Sequence, residues 1–175
     1  KVEKHVKASA ESLLSVQPDL VLVPNWVSPD AIGEMRNMQI PIYVYKTPTT
    51  VQEAKSVIHE IAGLLHASDE ALIASMDADL KTVDELANKH TGPRPVVAFY
   101  SQFGLTGGKG STFDDMCSYM KVTNAAAQLG LGAFDNGTRE DLIKSNPDII
   151  FIPSVAYTSD GTTPATAEQL YSDPA

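Results

Sequence analysis

The strongest constraint on the fold is a thirteen-residue stretch that occurs twice. Near the start it runs from Leu13 through Gln17-Pro18-Asp19-Leu20-Val21-Leu22-Val23-Pro24 to Asn25. It returns 129 residues later, from Leu142 through Asn146-Pro147-Asp148-Ile149-Ile150-Phe151-Ile152-Pro153 to Ser154, with Glu11 matching Glu140. Each copy reads as a helix end, a Pro-Asp turn and a short continuous apolar run. Such a run is the pattern of a parallel strand buried on both faces. Each stops at a proline and opens into a polar or aromatic loop. Thirteen aligned positions without a gap predict two similar α/β lobes in one chain.

The 175 residues suffice for one ordinary domain or two small lobes. A formal charge of −9 with no Lys/Arg cluster argues against nucleic-acid binding, since phosphate contacts need concentrated positive charge. No apolar run approaches the ~18 residues of a membrane span. Cys117 is alone, in an apparent helix from Thr112 to Lys121 beside Met116 and Met120, and reads as a small buried hydrophobe. It forms no internal disulfide and does not identify a compartment. The opening at Lys1 and the end at Ser172-Asp173-Pro174-Ala175 both read as mid-domain, so a fragment is expected.

In chain order, Ala8–Val16 reads as a helix feeding a strand at Leu20–Val23. Ser28 caps a helix with Pro29 in its first turn, and Gln39-Ile40-Pro41 turns into a strand at Ile42–Tyr45. That strand–helix–strand unit, with a right-handed crossover, makes the strands parallel. Thr50-Val51-Gln52-Glu53 is a capping box before a helical stripe that includes Val51, Ile58 and Leu65. Ser68–Lys89, with Leu72, Met76, Leu80 and Val83 on one stripe, predicts a single rod about 33 Å long. Its length, between the two repeats, suits joining lobes. Then come a strand at Val96–Tyr100, a loop from Ser101 to Gly110, a helix capped by Ser111 or Thr112, and a helix Arg139–Lys144 capped by Thr138. The tail from Val155 reads as loop with a short helix near Ala165–Tyr171. The expected domains are 1–67, an inter-lobe helix at 68–91, and 92–175.

Open parallel sheets bind ligands outside the carboxyl ends of their strands. Those ends carry Asn25 and Trp26, Tyr45 and Lys46, Tyr100, Ser101, Gln102 and Phe103, then Ser154 and Tyr157. An aromatic beside a hydrogen-bonding group at nearly every tip predicts a flat, aromatic-lined cleft, although Tyr43 and Tyr45 also suit strands as such. The glycine-rich loop follows a strand and precedes a helix, the context of a phosphate cradle. Its pattern departs in detail: only three residues separate Gly104 from Gly108-Lys109, and Gly110 stands where a magnesium-binding Ser or Thr belongs. Lys109 and the amides near Gly110 remain candidates for a carboxylate or phosphate. No metal set emerges, because His59 and His66 lie two turns apart and His5 and His90 have no acidic neighbour at ligand spacing. There is no Gly-x-Ser-x-Gly elbow, and no catalytic constellation is found.

Several motifs carry a family likeness: Gln17-Pro18-Asp19-Leu20-Val21, Ile40-Pro41-Ile42-Tyr43-Val44, the helix pair from Thr50 to Lys89, Gly108-Lys109-Gly110-Ser111-Thr112-Phe113, and Ser145-Asn146-Pro147-Asp148-Ile149-Ile150-Phe151. In order and spacing the chain resembles the substrate-binding proteins of cobalamin and iron–siderophore ABC importers, the helical-backbone class of periplasmic binding proteins. The resemblance implies an α/β fold of two lobes with parallel sheets joined by a long α-helix, both lobes incomplete here. It implies a receptor, periplasmic or lipid-anchored outside the cytoplasmic membrane, that delivers its ligand to permease subunits without catalysis. The ligand would be cobalamin, haem or a ferric siderophore, and the aromatic tips lean towards a corrinoid. It also implies an acidic permease-docking residue on each lobe: Asp30 on the first, and Glu168 or Asp160 on the second. Two other classes remain open. A nucleotide- or phosphate-binding enzyme, P-loop-like or glycosyltransferase-like, would use the Gly107–Gly110 loop. A nitrogenase-like cofactor protein would need several cysteine ligands, against the single Cys117.

Overall fold

A computed structural model describes residues 10–153. By compactness the chain divides into Lys1–Pro48 and Thr49–Ala175.

In the first unit, α1 (Ala10–Leu14) leads into β1 (Val21–Pro24), α2 (Pro29–Asn37) and β2 (Ile42–Tyr45). The Ser28 hydroxyl accepts the Ala31 N–H at 3.2 Å, and Pro29 occupies the first turn where its missing donor costs nothing. The strands are parallel, with Val21 opposite Ile42 and Pro24 opposite Tyr45, as expected of a strand–helix–strand unit. Val23, Met35 and Ile40 are its buried apolar residues among those described.

The second unit opens with α3 (Val51–Leu64) and α4 (Glu70–Lys89). Thr50 caps α3 by accepting the Glu53 N–H at 3.0 Å, while Glu53 takes the N–H and hydroxyl of the preceding Thr49. α4 is one uninterrupted helix of 20 residues, about 30 Å long. Lys55 pairs with Asp77 and His59 Nδ1 meets Asp69 Oδ2 at 3.0 Å, so two polar contacts stitch α3 to α4. Neither helix buries a residue completely, which leaves the pair on the surface of its unit.

The sheet of this unit is built on β3 (Val96–Ser101). β4 (Gly104–Thr106) returns antiparallel, whereas β5 (Thr123–Asn124) and β6 (Ile149–Phe151) run parallel to β3. Val97 pairs with both Asn124 and Ile149, and Phe99 with both Thr106 and Phe151. A residue has only two edges, so β5 and β4 follow one another along one edge of β3 and β6 takes the other. α5 (Thr112–Met120), α6 (Ala125–Gln128) and α7 (Arg139–Ser145) complete the unit. Ala98, Leu105, Ala125, Ala126 and Leu142 form the core, with Val96, Tyr100, Leu129 and Leu131 packed against it. Phe99, Phe113 and Phe151 form a second cluster, with ring centroids 5.5 and 5.9 Å apart.

Two sequence expectations change. The stretch from Ser101 to Gly110 is not all loop, because a two-residue turn at Gln102-Phe103 folds β4 back and makes the sheet mixed. Neither repeated apolar run is buried on both faces: Leu22 in β1 and all three residues of β6 are exposed. β1 lies in a two-stranded sheet, and among the described residues β6 has a strand only on its β3 side. Compactness groups α3 with α4 and the second sheet, which does not test the lobe boundaries of 1–67, 68–91 and 92–175. Contact density and lobe membership differ as criteria, and the lobe boundaries return below as part of a proposal.

Candidate functional site

The parallel strands of the first unit end at Pro24 and Tyr45, which face each other across the ladder. Asn25 continues that pairing, its N–H donating to the Tyr45 carbonyl at 2.8 Å. Its side-chain oxygen accepts the Thr47 N–H at 2.9 Å, so Asn25 braces the exit of β2. Trp26 is thereby held just beyond the strand tip with 74% of its surface in water. Tyr45 is half-buried and Lys46 exposed. The Thr47 hydroxyl is shielded from solvent with no hydrogen-bond partner among the described residues, a feature the sequence did not signal. Asp30 sits exposed in the first turn of α2.

At the tip of β3 the candidates separate. Tyr100 shares a strand face with Ala98 and packs against the core. Strand parity from Val96 and Ala98 is the signal that finds this. The Ser101 hydroxyl accepts the Phe103 N–H at 3.2 Å and shapes the turn. Gln102 and Phe103 project from it, Phe103 66% exposed. Ser154, Tyr157, Asp160 and Glu168 lie outside the described residues.

The glycine-rich loop serves packing, which corrects its reading as an anion cradle. The Lys109 N–H donates to the Leu131 carbonyl at 2.7 Å, Gly110 N–H to Asp114 Oδ2 at 2.9 Å, and Ser111 N–H to the Gly108 carbonyl at 3.1 Å. Amides already bonded inside the protein, beside the acidic Asp114 and Asp115, do not attract an anion. The glycines are explained by close approach. A Cβ on Gly108 would lie 2.2 Å from the Leu131 oxygen, and one on Gly104 would lie 2.3 Å from the Gly137 oxygen. Buried Asn124 ties the region together. Its amide nitrogen donates to the Gly107 carbonyl (2.8 Å) and Asp114 Oδ1 (2.9 Å), while its oxygen accepts from Ala126 and Ala127. The Lys109 side chain remains exposed.

Cys117 is buried, and desolvation with the nearby Asp114 charge pushes its thiol up to about 11, so it stays protonated and inert at neutral pH. Among the described residues no group of three His, Cys, Asp or Glu side chains could hold a metal ion. Nor is any described helix long and apolar enough to cross a membrane.

A sequence model of the family described as periplasmic binding protein matches residues 1–175. The chain belongs to the periplasmic binding protein family. Solved structures agree in fold. CeuE of Helicobacter pylori, in a nickel–histidine complex, superposes with a TM-score of 0.75 at 21% identity, covering 98% of this chain and 54% of that one. A possible iron-binding (periplasmic solute-binding) protein from Staphylococcus epidermidis ATCC 12228 gives a TM-score of 0.70 at 17% identity, covering 98% and 67%. The periplasmic heme-binding protein RhuT from Roseiflexus sp. RS-1, in apo form, gives 0.70 at 26% identity, covering 82% and 57%. The chain thus spans about half to two thirds of the length of these proteins. No curated protein matches it by sequence. The matched family is described as periplasmic binding protein, and the Staphylococcus epidermidis and Roseiflexus neighbours are named for iron and heme binding.

Proposed function

We propose that this periplasmic binding protein is the cargo receptor of an ABC importer for a metal chelate: a corrinoid, a haem or a ferric siderophore. The observation that carries this reading is Trp26, a large aromatic held 74% exposed at the carboxyl tip of β1, where open α/β sheets take their ligands. Asn25 and Tyr45 beside it supply polar contacts, as do Ser101 and Gln102 at the β3 turn. Phe103 adds apolar surface there and Lys109 a cation. Ser154 and Tyr157 belong to the same proposal by sequence, and Tyr100, packed on the core, belongs to it least. The neighbours named for haem and iron support the ligand class. In this reading residues 1–67 and 92–175 contribute to two lobes, 68–91 is the spacer between them, and the protein is periplasmic or lipid-anchored. Asp30 docks on the permease, with Glu168 or Asp160 as its counterpart on the other lobe.

The test is titration of the full-length protein with haem, cyanocobalamin and a ferric hydroxamate, followed by absorbance and by tryptophan emission. One of the three is expected to bind stoichiometrically without turnover and to quench Trp26. Trp26→Ala should weaken that binding by roughly tenfold or more, the loss of one aromatic contact in a desolvated site. Heat or spectral change from none of the three overturns the reading.

A further inference from the structure

The family likeness and the sequence pattern both pass over the connection between α6 and α7. We infer that Phe134, in that connection, is a cargo-contacting residue acting with Phe103, and that the pair selects a ligand with flat apolar faces. The inference rests on the receptor reading above and sharpens it towards a tetrapyrrole.

Two observations carry it. The first is exposure. Phe134 is 87% and Phe103 66% in water. One exposed aromatic on a surface needs no explanation, but two attached to one point do. They are so attached: Leu105 and Gly137 exchange both backbone hydrogen bonds, at 3.1 and 2.7 Å, and Gly104 abuts the Gly137 carbonyl. Phe103 is two residues from Leu105 and Phe134 three from Gly137. Five 3.8 Å steps plus one strand-pair spacing keep their Cα atoms within about 25 Å. Gly104 pairs with Ser101, so this point lies at the carboxyl tip of β3.

The second observation is rigidity. Residues 131–137 are fastened at both ends and within. Leu131 N–H donates to the Ala126 carbonyl at 3.1 Å, and the Leu131 carbonyl accepts from Lys109 at 2.7 Å. The Asp135 carboxylate accepts the Gly132 N–H at 2.7 Å, and the Asp135 N–H returns to the Gly132 carbonyl at 3.2 Å. None of these bonds involves the Phe134 side chain. The loop is therefore formed without it, so the backbone that carries the ring is set before the ligand arrives and only the side chain has to be ordered on binding. Two exposed rings on one anchored region suit a planar apolar face and give little to a hydroxylated, hydrophilic chelate.

The experiment compares the full-length wild type, Phe134→Ala and Phe103→Ala with haem and with ferrichrome, and follows amide exchange of 131–137 in the wild type with and without haem. The expected result is a loss of about tenfold in haem affinity for each variant with an unchanged melting temperature. Protection of 131–137 by haem, and no comparable loss for ferrichrome, complete it. Wild-type haem binding with both variants within twofold and no protection overturns the inference and leaves the receptor reading standing. Equal losses for both ligands overturn the selectivity. Failure of the wild type to bind haem removes the inference, and silence with cyanocobalamin and ferrichrome as well removes the receptor reading too.

Discussion

Gln17 and Asn146, equivalent positions of the repeat, adopt the same left-handed backbone state, with φ of 46° and 44°. Each stands between a helix and a Pro-Asp that starts a parallel strand. Gln39 and Lys121 turn the chain in the same way before β2 and β5. A side chain in this region costs about 1–2 kcal/mol relative to the right-handed state, and asparagine tolerates it better than glutamine. Gln17→Gly is therefore expected to stabilise the protein by about 1 kcal/mol, and Gln17→Val to destabilise it by more, as read from urea midpoints. Asn146→Gly should gain less.

Gly108 and Gly110 separate close packing from backbone freedom. Gly108→Ala drives a Cβ into the Leu131 and Gly132 carbonyls, at 2.2 and 2.5 Å, and backbone does not yield cheaply. A loss of roughly 3 kcal/mol or more is expected, at the upper end of single-residue effects. Gly110→Ala meets open space, but its φ of +82° predicts a loss of about 1 kcal/mol. If the loop were an anion cradle instead, phosphate would raise the melting temperature, and no rise is expected.

Asn124 should behave as a structural hub. Asn124→Ala removes the donor from the Gly107 carbonyl and from Asp114 Oδ1, and leaves two helix N–H groups without their side-chain acceptor. The expected cost is about 2–3 kcal/mol. Asn124→Asp should cost at least as much at pH 7, because it aims a carboxylate at two acceptors. Thermal melts of the two variants at pH 4.5 and 7 check this, with the aspartate variant the more pH-dependent.

The two ends of the pH scale are sensed by different groups. Folding raises the Cys117 thiol from 9.0 to about 11, so the native state favours the protonated form. That contribution is intact below pH 9 and is lost as pH rises towards 11. The urea midpoint should fall more steeply over that range in the wild type than in Cys117→Ala. Asp141 is held below its ordinary 3.8 by the Thr138 N–H and hydroxyl. Its contribution is present above that value and is lost on acidification below it. Thr138→Ala, which removes the cap hydroxyl, should flatten the acid limb of the stability curve.

Legibility followed length and parity. The Pro-Asp copies, the Ser28, Thr50 and Thr138 caps and the 20-residue α4 were readable because each rests on local chemistry. β4 and β5 were not, since three and two residues carry no period, and Asn124 is a polar residue at a buried place. The apolar run Ile149–Phe151 suggested full burial, yet a strand's exposure depends on neighbours that its own residues do not specify. Trp26 stood out as the lone tryptophan, whereas Phe134 was hidden in a glycine-flanked segment anchored by main-chain bonds and the Asp135 carboxylate.

The antiparallel return of β4 bears on how the second unit reaches its native state. Among the described residues it is the one strand pairing there between sequence neighbours, joined by the Gln102-Phe103 turn. A hairpin of this kind closes in about 1–10 μs. The β3–β6 ladder, by contrast, must bring together groups 52 residues apart, such as Val96 and Asp148. The turn that displays Phe103 is therefore also the natural place for the sheet to begin assembling, and changes to Gly104 should slow refolding more than they speed unfolding.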